Sequence, residues 1–170
     1  NHSKLNQRKY IMINYLSCLP VMKKYNETND CTVKAVSIVT NQPYMKAHAL
    51  LKAHGRKNRN GTWNSQKVVR EMGFNVVRIQ CEAKTIATLS KHLDPKKRYM
   101  VSVSGHILAY VKGVIEDWTE GGDKAKAAYL AHHGVSMPVT KAISRRHITT
   151  VYEVTPKQSK NAIRKAKRYA

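Results

Sequence analysis

The chain has 170 residues, 31 Lys and Arg against 10 Asp and Glu, and a formal charge of +21. That length builds one core rather than several domains, and so large an excess of cations marks a protein that binds polyanions, non-specific nucleic acid first among them. Three cysteines without a Cys-x-x-Cys pair, and His132 directly beside His133, exclude a zinc signature and a disulfide framework; no metal or cofactor is expected, and reduced thiols point to cytoplasmic synthesis.

Residues 1–22 read as an N-terminal arm. Lys4, Arg8 and Lys9 precede an apolar run over residues 10–21 that has the outline of a signal peptide. Asn14 and Ser17 interrupt the run and no small-residue cleavage site follows, so a strand or packing arm is expected. It is too short and too polar to span a bilayer. A domain over 23–155 and a basic tail over 156–170 complete the expected organisation.

Asn29-Asp30-Cys31 opens a stretch with apolar residues at 35, 36, 38 and 39, a helical spacing with Asn29 or Asp30 as N-cap. A thiol in the first turn of that helix faces unpaired N–H groups and the positive end of the helix dipole, which favour thiolate. Pro43 begins a second helix running to about residue 54 and ended by Gly55. The segment from Gly55 through Arg56, Lys57 and Arg59 to Gly61-Thr62 lacks the ending of a phosphate-binding P-loop and reads as a basic surface loop. Asn64 or Ser65 caps a third helix reaching Met72 and stopped at Gly73. A strand over 74–79 and a helix over 84–93 follow.

Residues 99–111 and 114–118 read as two strands joined by a tight turn at Lys112-Gly113. With two residues in the turn, Val111 faces Val114 and Leu108 faces Asp117, and the period of two sets His106 on the face of Leu108. His106 and Asp117 are then diagonal neighbours, close enough for Asp117 to hold the imidazole while His106 takes the proton of Cys31. A three-residue turn turns Asp117 away and makes Glu116 the orienting candidate. Residues 119–147 carry no clear pattern, and 148–154 alternates as a last strand. Helices first and an antiparallel sheet second make an α+β domain. Cys18 and Cys81 read as small buried hydrophobes. His48, His54, His92, His132, His133 and His147 read as structural or solvated.

The order Asp30-Cys31 at a helix start, Gly105-His106 at a strand start and Asp117 on the next strand resembles the papain-like cysteine peptidases. Within them it is closest to the compact branch of bacteriocin-leader peptidases. The segment from Asn29 to Ala35, with Ala47-His48, Gly55-Arg56-Lys57 and Gly61-Thr62, also resembles small proteins of phages and their hosts. The resemblance covers roughly residues 26–118. It implies a papain-like fold, with the nucleophile at a helix start packed on an antiparallel sheet, and roles for Cys31 as nucleophile, His106 as base and Asp117 as orienting acid. The pattern departs upstream, where such enzymes carry an oxyanion-binding Gln and this chain has Asn26, with Asn29 nearer the cysteine.

The cations form clusters at Arg56, Lys57 and Arg59, at Lys96, Lys97 and Arg98, at Arg145 and Arg146, and in a tail with Arg164, Lys165, Lys167 and Arg168. Zinc-finger spacing and ribonucleoprotein aromatic motifs are absent and there is one Phe, so salt-sensitive, sequence-independent polyanion binding is expected. The function expected is a cysteine hydrolase acting on a protein or peptide, with a Cys-His-Asp triad and polyanion affinity, working near nucleic acid or packaged in a phage particle. The alternative is a nucleic-acid-binding or virion protein built on an inactive papain-like fold. The same triad also supports acyl transfer or isopeptide cleavage.

Overall fold

The structure, a computed structural model, describes residues 12–61, 63–117, 122–136, 143–158 and 167. The first element departs from expectation. In place of a strand or an arm, Tyr15–Lys24 forms a helix, α1. The two polar residues that interrupt the apolar run are the reason. Asn14 accepts from the Ser17 N–H at 2.9 Å, and the Ser17 hydroxyl accepts from the Asn14 N–H at 3.0 Å, a reciprocal capping box. Cys18, Leu19 and Met22 enter the core while Pro20 lies exposed. Replacing Asn14 by Ala is expected to cost about 1 kcal/mol. It should appear as a lower urea midpoint at unchanged slope, and an unmoved midpoint would mean that the cap contributes nothing.

Helix α2 (Cys31–Thr40) is the central element, with eight of its ten residues buried. Asp30 occupies its N-cap, yet the carboxylate is directed sideways to the Tyr44 hydroxyl at 2.7 Å and to Lys34 Nζ at 2.8 Å. At the other end Asn41 ends the helix in the left-handed region, φ 50°. Arg98 donates to the carbonyls of Val39 at 2.7 Å and Ile38 at 2.6 Å, placing a cation where the helix dipole is negative. Helix α3 (Tyr44–Ala53) follows Pro43 and is succeeded by Gly55, φ +98°; α4 (Gln66–Glu71) is short and leads through Gly73, φ +99°, into the sheet.

The sheet has five antiparallel strands: β1 (Phe74–Ile79), β2 (Arg98–Val103), β3 (His106–Val111), β4 (Val114–Glu116) and β5 (Ile148–Pro156), in the order β1-β5-β2-β3-β4. The segment 99–111, expected as one strand, is a hairpin. Val103 pairs with His106 across a turn at Ser104-Gly105, where Gly105 has φ +69°. The helix expected over 84–93 is a shorter 3₁₀ turn (Ile86–Lys91); Ile86 and Leu89, both fully buried, fall on one side at its three-residue period. Within the unassigned region a further helix, α5 (Gly122–His133), packs on α1.

Each face of the sheet is covered. On one, Met100, Ile107, Ala109 and Val111 meet α1, α2 and α3; on the other, Tyr99, Val101, Leu108 and Tyr110 meet Ile86, Leu89, Leu93 and Ile143. Five of the six residues of β3 are buried because it is covered twice, which explains its unbroken hydropathy. The architecture is α+β, with N-terminal helices laid on a five-stranded antiparallel sheet. Among the described residues no helix is long and apolar enough to cross a membrane.

Candidate active site

Cys31 is the first residue of α2, half-buried, and reached through a turn in which Asn29 takes φ 52°. The first intrahelical bond runs from Lys34 N to Asp30 O at 3.1 Å. The N–H groups of residues 31–33 therefore have no acceptor within the helix, and they direct positive potential at the thiol. Packing of α2 on β3 brings the start of the strand to the start of the helix. His106 and the backbone N–H of Ile107 are close enough to the Cys31 sulfur to favour its thiolate. His106 Nε2 is hydrogen-bonded to Asp117 Oδ2, which leaves Nδ1 for the cysteine.

The turn decides the identity of the acid. Val111 pairs with Val114 and Tyr110 with Ile115, so Lys112-Gly113 is a two-residue turn and Asp117, 4% exposed, continues the register toward His106. Glu116, the candidate for the other register, accepts from the Tyr15 N–H at 2.8 Å and ties down the start of α1 instead. Tyr15 itself is a site residue that sequence reasoning missed. It is buried beside Asp117, and burial, followed by the Asp117 charge, raises its phenol. Lys34 Nζ lies 5.1 Å from the centre of its ring. The available signal was the Asn14–Ser17 capping box, which places Tyr15 at the first helical position.

The electrostatics separate Cys31 from Cys18. Burial pushes Cys31 up, but the hydrogen bond and charge of His106, with the Ile107 N–H, overcome it and hold the thiol below its ordinary value. Burial pushes His106 down, and the hydrogen bonds to Asp117 and Cys31 with their charges reverse this, raising the imidazole to about 9. Both shifts favour thiolate and imidazolium together. Cys18, 1% exposed, is pushed up to about 12 by burial and stays protonated. Cys81 is half-buried and packs against the second core cluster, with Ile86, Leu89 and Val101.

Comparison with family models, with curated proteins and with solved structures finds no match.

The two amides expected at the oxyanion both face the Arg59 loop. Asn26 Oδ1 accepts from Arg59 Nη2 at 2.9 Å, and Asn29 Nδ2 donates weakly to the Arg59 carbonyl at 3.4 Å. Thr32 Oγ1 donates to the Gly61 carbonyl at 2.9 Å, so the same loop braces the first turn of α2.

Two expected polyanion contacts are corrected. Arg56 is 3% exposed, and both of its terminal nitrogens meet Glu27 at 3.0 Å; the basic loop is folded inward at this residue because a buried carboxylate requires a cation. Arg98 is turned to the carbonyls at the end of α2. Lys97 is exposed and paired with Glu153 at 2.9 Å. Lys57, Arg59, Lys96, Arg145 and Lys167 are exposed, and Arg146 is half-buried, donating to the Ser104 carbonyl. Arg164, Lys165 and Arg168 lie outside the described residues. His48 is structural, its Nε2 2.9 Å from Glu27.

Proposed function

We propose that the chain is a papain-like cysteine hydrolase, a peptidase in which Cys31 is the nucleophile, His106 the base and then the acid, and Asp117 the orienting group. The observation that carries this reading is the convergence of three groups: His106 Nε2 is hydrogen-bonded to Asp117, and the packing of α2 on β3 sets the same imidazole beside Cys31, each favouring the charged form of the other. The Cys31 thiolate forms a C–S bond with the substrate carbonyl carbon; the imidazolium protonates the leaving amine as the C–N bond breaks. Water, deprotonated by His106, then attacks the thioester and releases the acid with the thiol pair restored. The Cys31 N–H and the amide of Asn29 or Asn26 are the groups this reading assigns to the oxyanion.

The test is alkylation by dilute iodoacetamide from about pH 4 to about pH 9, read at each cysteine by peptide mass. Cys31 should react well below the ordinary thiol range and lose about tenfold or more of its rate near pH 6 in His106→Ala. Cys18 should remain inert throughout. An ordinary thiol profile at Cys31, unaffected by His106→Ala, would remove the hydrolase reading. It would favour a nucleic-acid-binding or virion protein on the same architecture, the reading supported by the charge of +21.

A further inference from the structure

The acids around the site are turned inward. Asp30, directly before the nucleophile, is 2% exposed and bound to Tyr44 and Lys34; Asp117 is held by His106. Two cations near it carry no such partner, Arg59 exposed and Arg146 half-buried. Arg59 is exposed on the loop that contacts Asn29; its backbone N–H meets Glu27, but its guanidinium reaches only neutral acceptors, the oxygens of Asn26. Arg146 donates to the Ser104 carbonyl, two residues before His106. Neither guanidinium is ion-paired among the described residues. One arginine without an ion-pair partner among the described residues thus stands on the turn that leads to Cys31, and another on the turn that leads to His106.

We propose that this site takes acidic peptides, Arg59 meeting a carboxylate on the Cys31 side and Arg146 one on the His106 side. The proposal rests on the hydrolase reading and adds its substrate class. A planar guanidinium with free N–H groups pairs with a carboxylate in two-point fashion, and with Asp30, Asp117 and Glu27 each already bound to other groups they do not cancel that attraction. The chemistry selects peptide over nucleic acid, because a thiolate attacks an acyl carbon and a phosphodiester backbone offers none.

The experiment alkylates the full chain with iodoacetyl-Glu-Glu amide, iodoacetyl-Gln-Gln amide and iodoacetyl-Lys-Lys amide, following Cys31 by peptide mass. In each, the thiolate forms a C–S bond and iodide leaves. The acidic probe should react about fivefold faster than the neutral one and the basic probe slowest, with the spread collapsing between about 0.05 M and about 0.5 M salt. The His106 imidazolium contributes to any such preference, so the assignment is carried by Arg59→Gln and Arg146→Gln, each expected to lower the acidic-to-neutral ratio about twofold. The ratio is internal to each variant, and the salt dependence of the wild type needs no variant to fold. Equal rates for the three probes, or a ratio unmoved in both variants, overturns the proposal. If iodoacetamide labelling still depends on His106, the hydrolase reading survives that outcome; if it does not, that reading fails separately. Protection of Cys31 by a single-stranded oligonucleotide, where polyglutamate at equal charge gives none, also overturns it in favour of nucleic acid.

Discussion

Glu27→Ala should lower the stability of the protein by about 3–5 kcal/mol, the range for removing one partner of a buried ion pair. In a chain of this size that corresponds to a fall in melting temperature of roughly 10 °C. The carboxylate is 1% exposed and accepts four bonds: from His48 Nε2 at 2.9 Å, from both terminal nitrogens of Arg56 at 3.0 Å, and from the Arg59 N–H at 3.1 Å. Its removal strands the Arg56 guanidinium inside the fold, which is why the loss exceeds that of a surface pair. It also frees the clip between α3, the Arg59 loop and the turn that leads to Cys31.

The double variant Glu27→Leu with Arg56→Met should lose less than either single substitution, since it leaves no uncompensated charge. The pH dependence has a definite sign. Burial pushes the Glu27 carboxyl up, but Arg56, His48 and the Arg59 N–H hold it below its ordinary value. Its contribution is therefore present above the ordinary carboxylate range and lost as pH falls through the lowered folded value. A urea titration of Glu27→Ala giving a loss below about 1 kcal/mol near pH 7 would sink the account of a buried, charged clip.

Asp117→Asn should preserve the shape of the hydrogen bond to His106 and remove its charge. The imidazole should then titrate at least about one unit below its native value near 9, followed directly by the ring proton resonances. With less imidazolium beside it, Cys31 needs a higher pH to ionise, and each unit of rise lowers the thiolate fraction, and with it the alkylation rate near pH 6, about tenfold. The folding linkage runs in the opposite direction to that of Glu27. A histidine raised in the folded state stabilises fully below its unfolded value of about 6.5, and that stabilisation is lost as pH rises through about 9. Asp117→Asn should accordingly destabilise more at about pH 6 than above about pH 9. An unchanged His106 titration would remove Asp117 from the triad and leave it a structural acid.

Much of the site was legible because its parts are short-range. An N-cap before an apolar helical period places Cys31 in a first turn, and a two-residue turn with the period of a strand carries Asp117 to His106; both are decided within a dozen residues. The same locality explains the misreadings. Asn14 and Ser17 look like polar interruptions until they are paired with each other as a capping box, and α1 then becomes part of the site through Tyr15. Residues 99–111 keep one hydropathy across Ser104-Gly105, so the turn is hidden within an apolar run covered on both faces.

The sequence by itself therefore determined the helix that carries Cys31, the hairpin that carries His106 and Asp117, the α+β order and the excess of positive charge. Only the tertiary structure decided that helix and hairpin meet at their starting ends, because that depends on α2 packing across β3 and on β5 entering between β1 and β2. It also decided which cations face water. Arg56 and Arg59 stand in the same basic loop, yet one is consumed by Glu27 and the other is exposed beside Asn29. A charged side chain is defined by the dielectric and the partners around it, and those are supplied by residues distant in the chain.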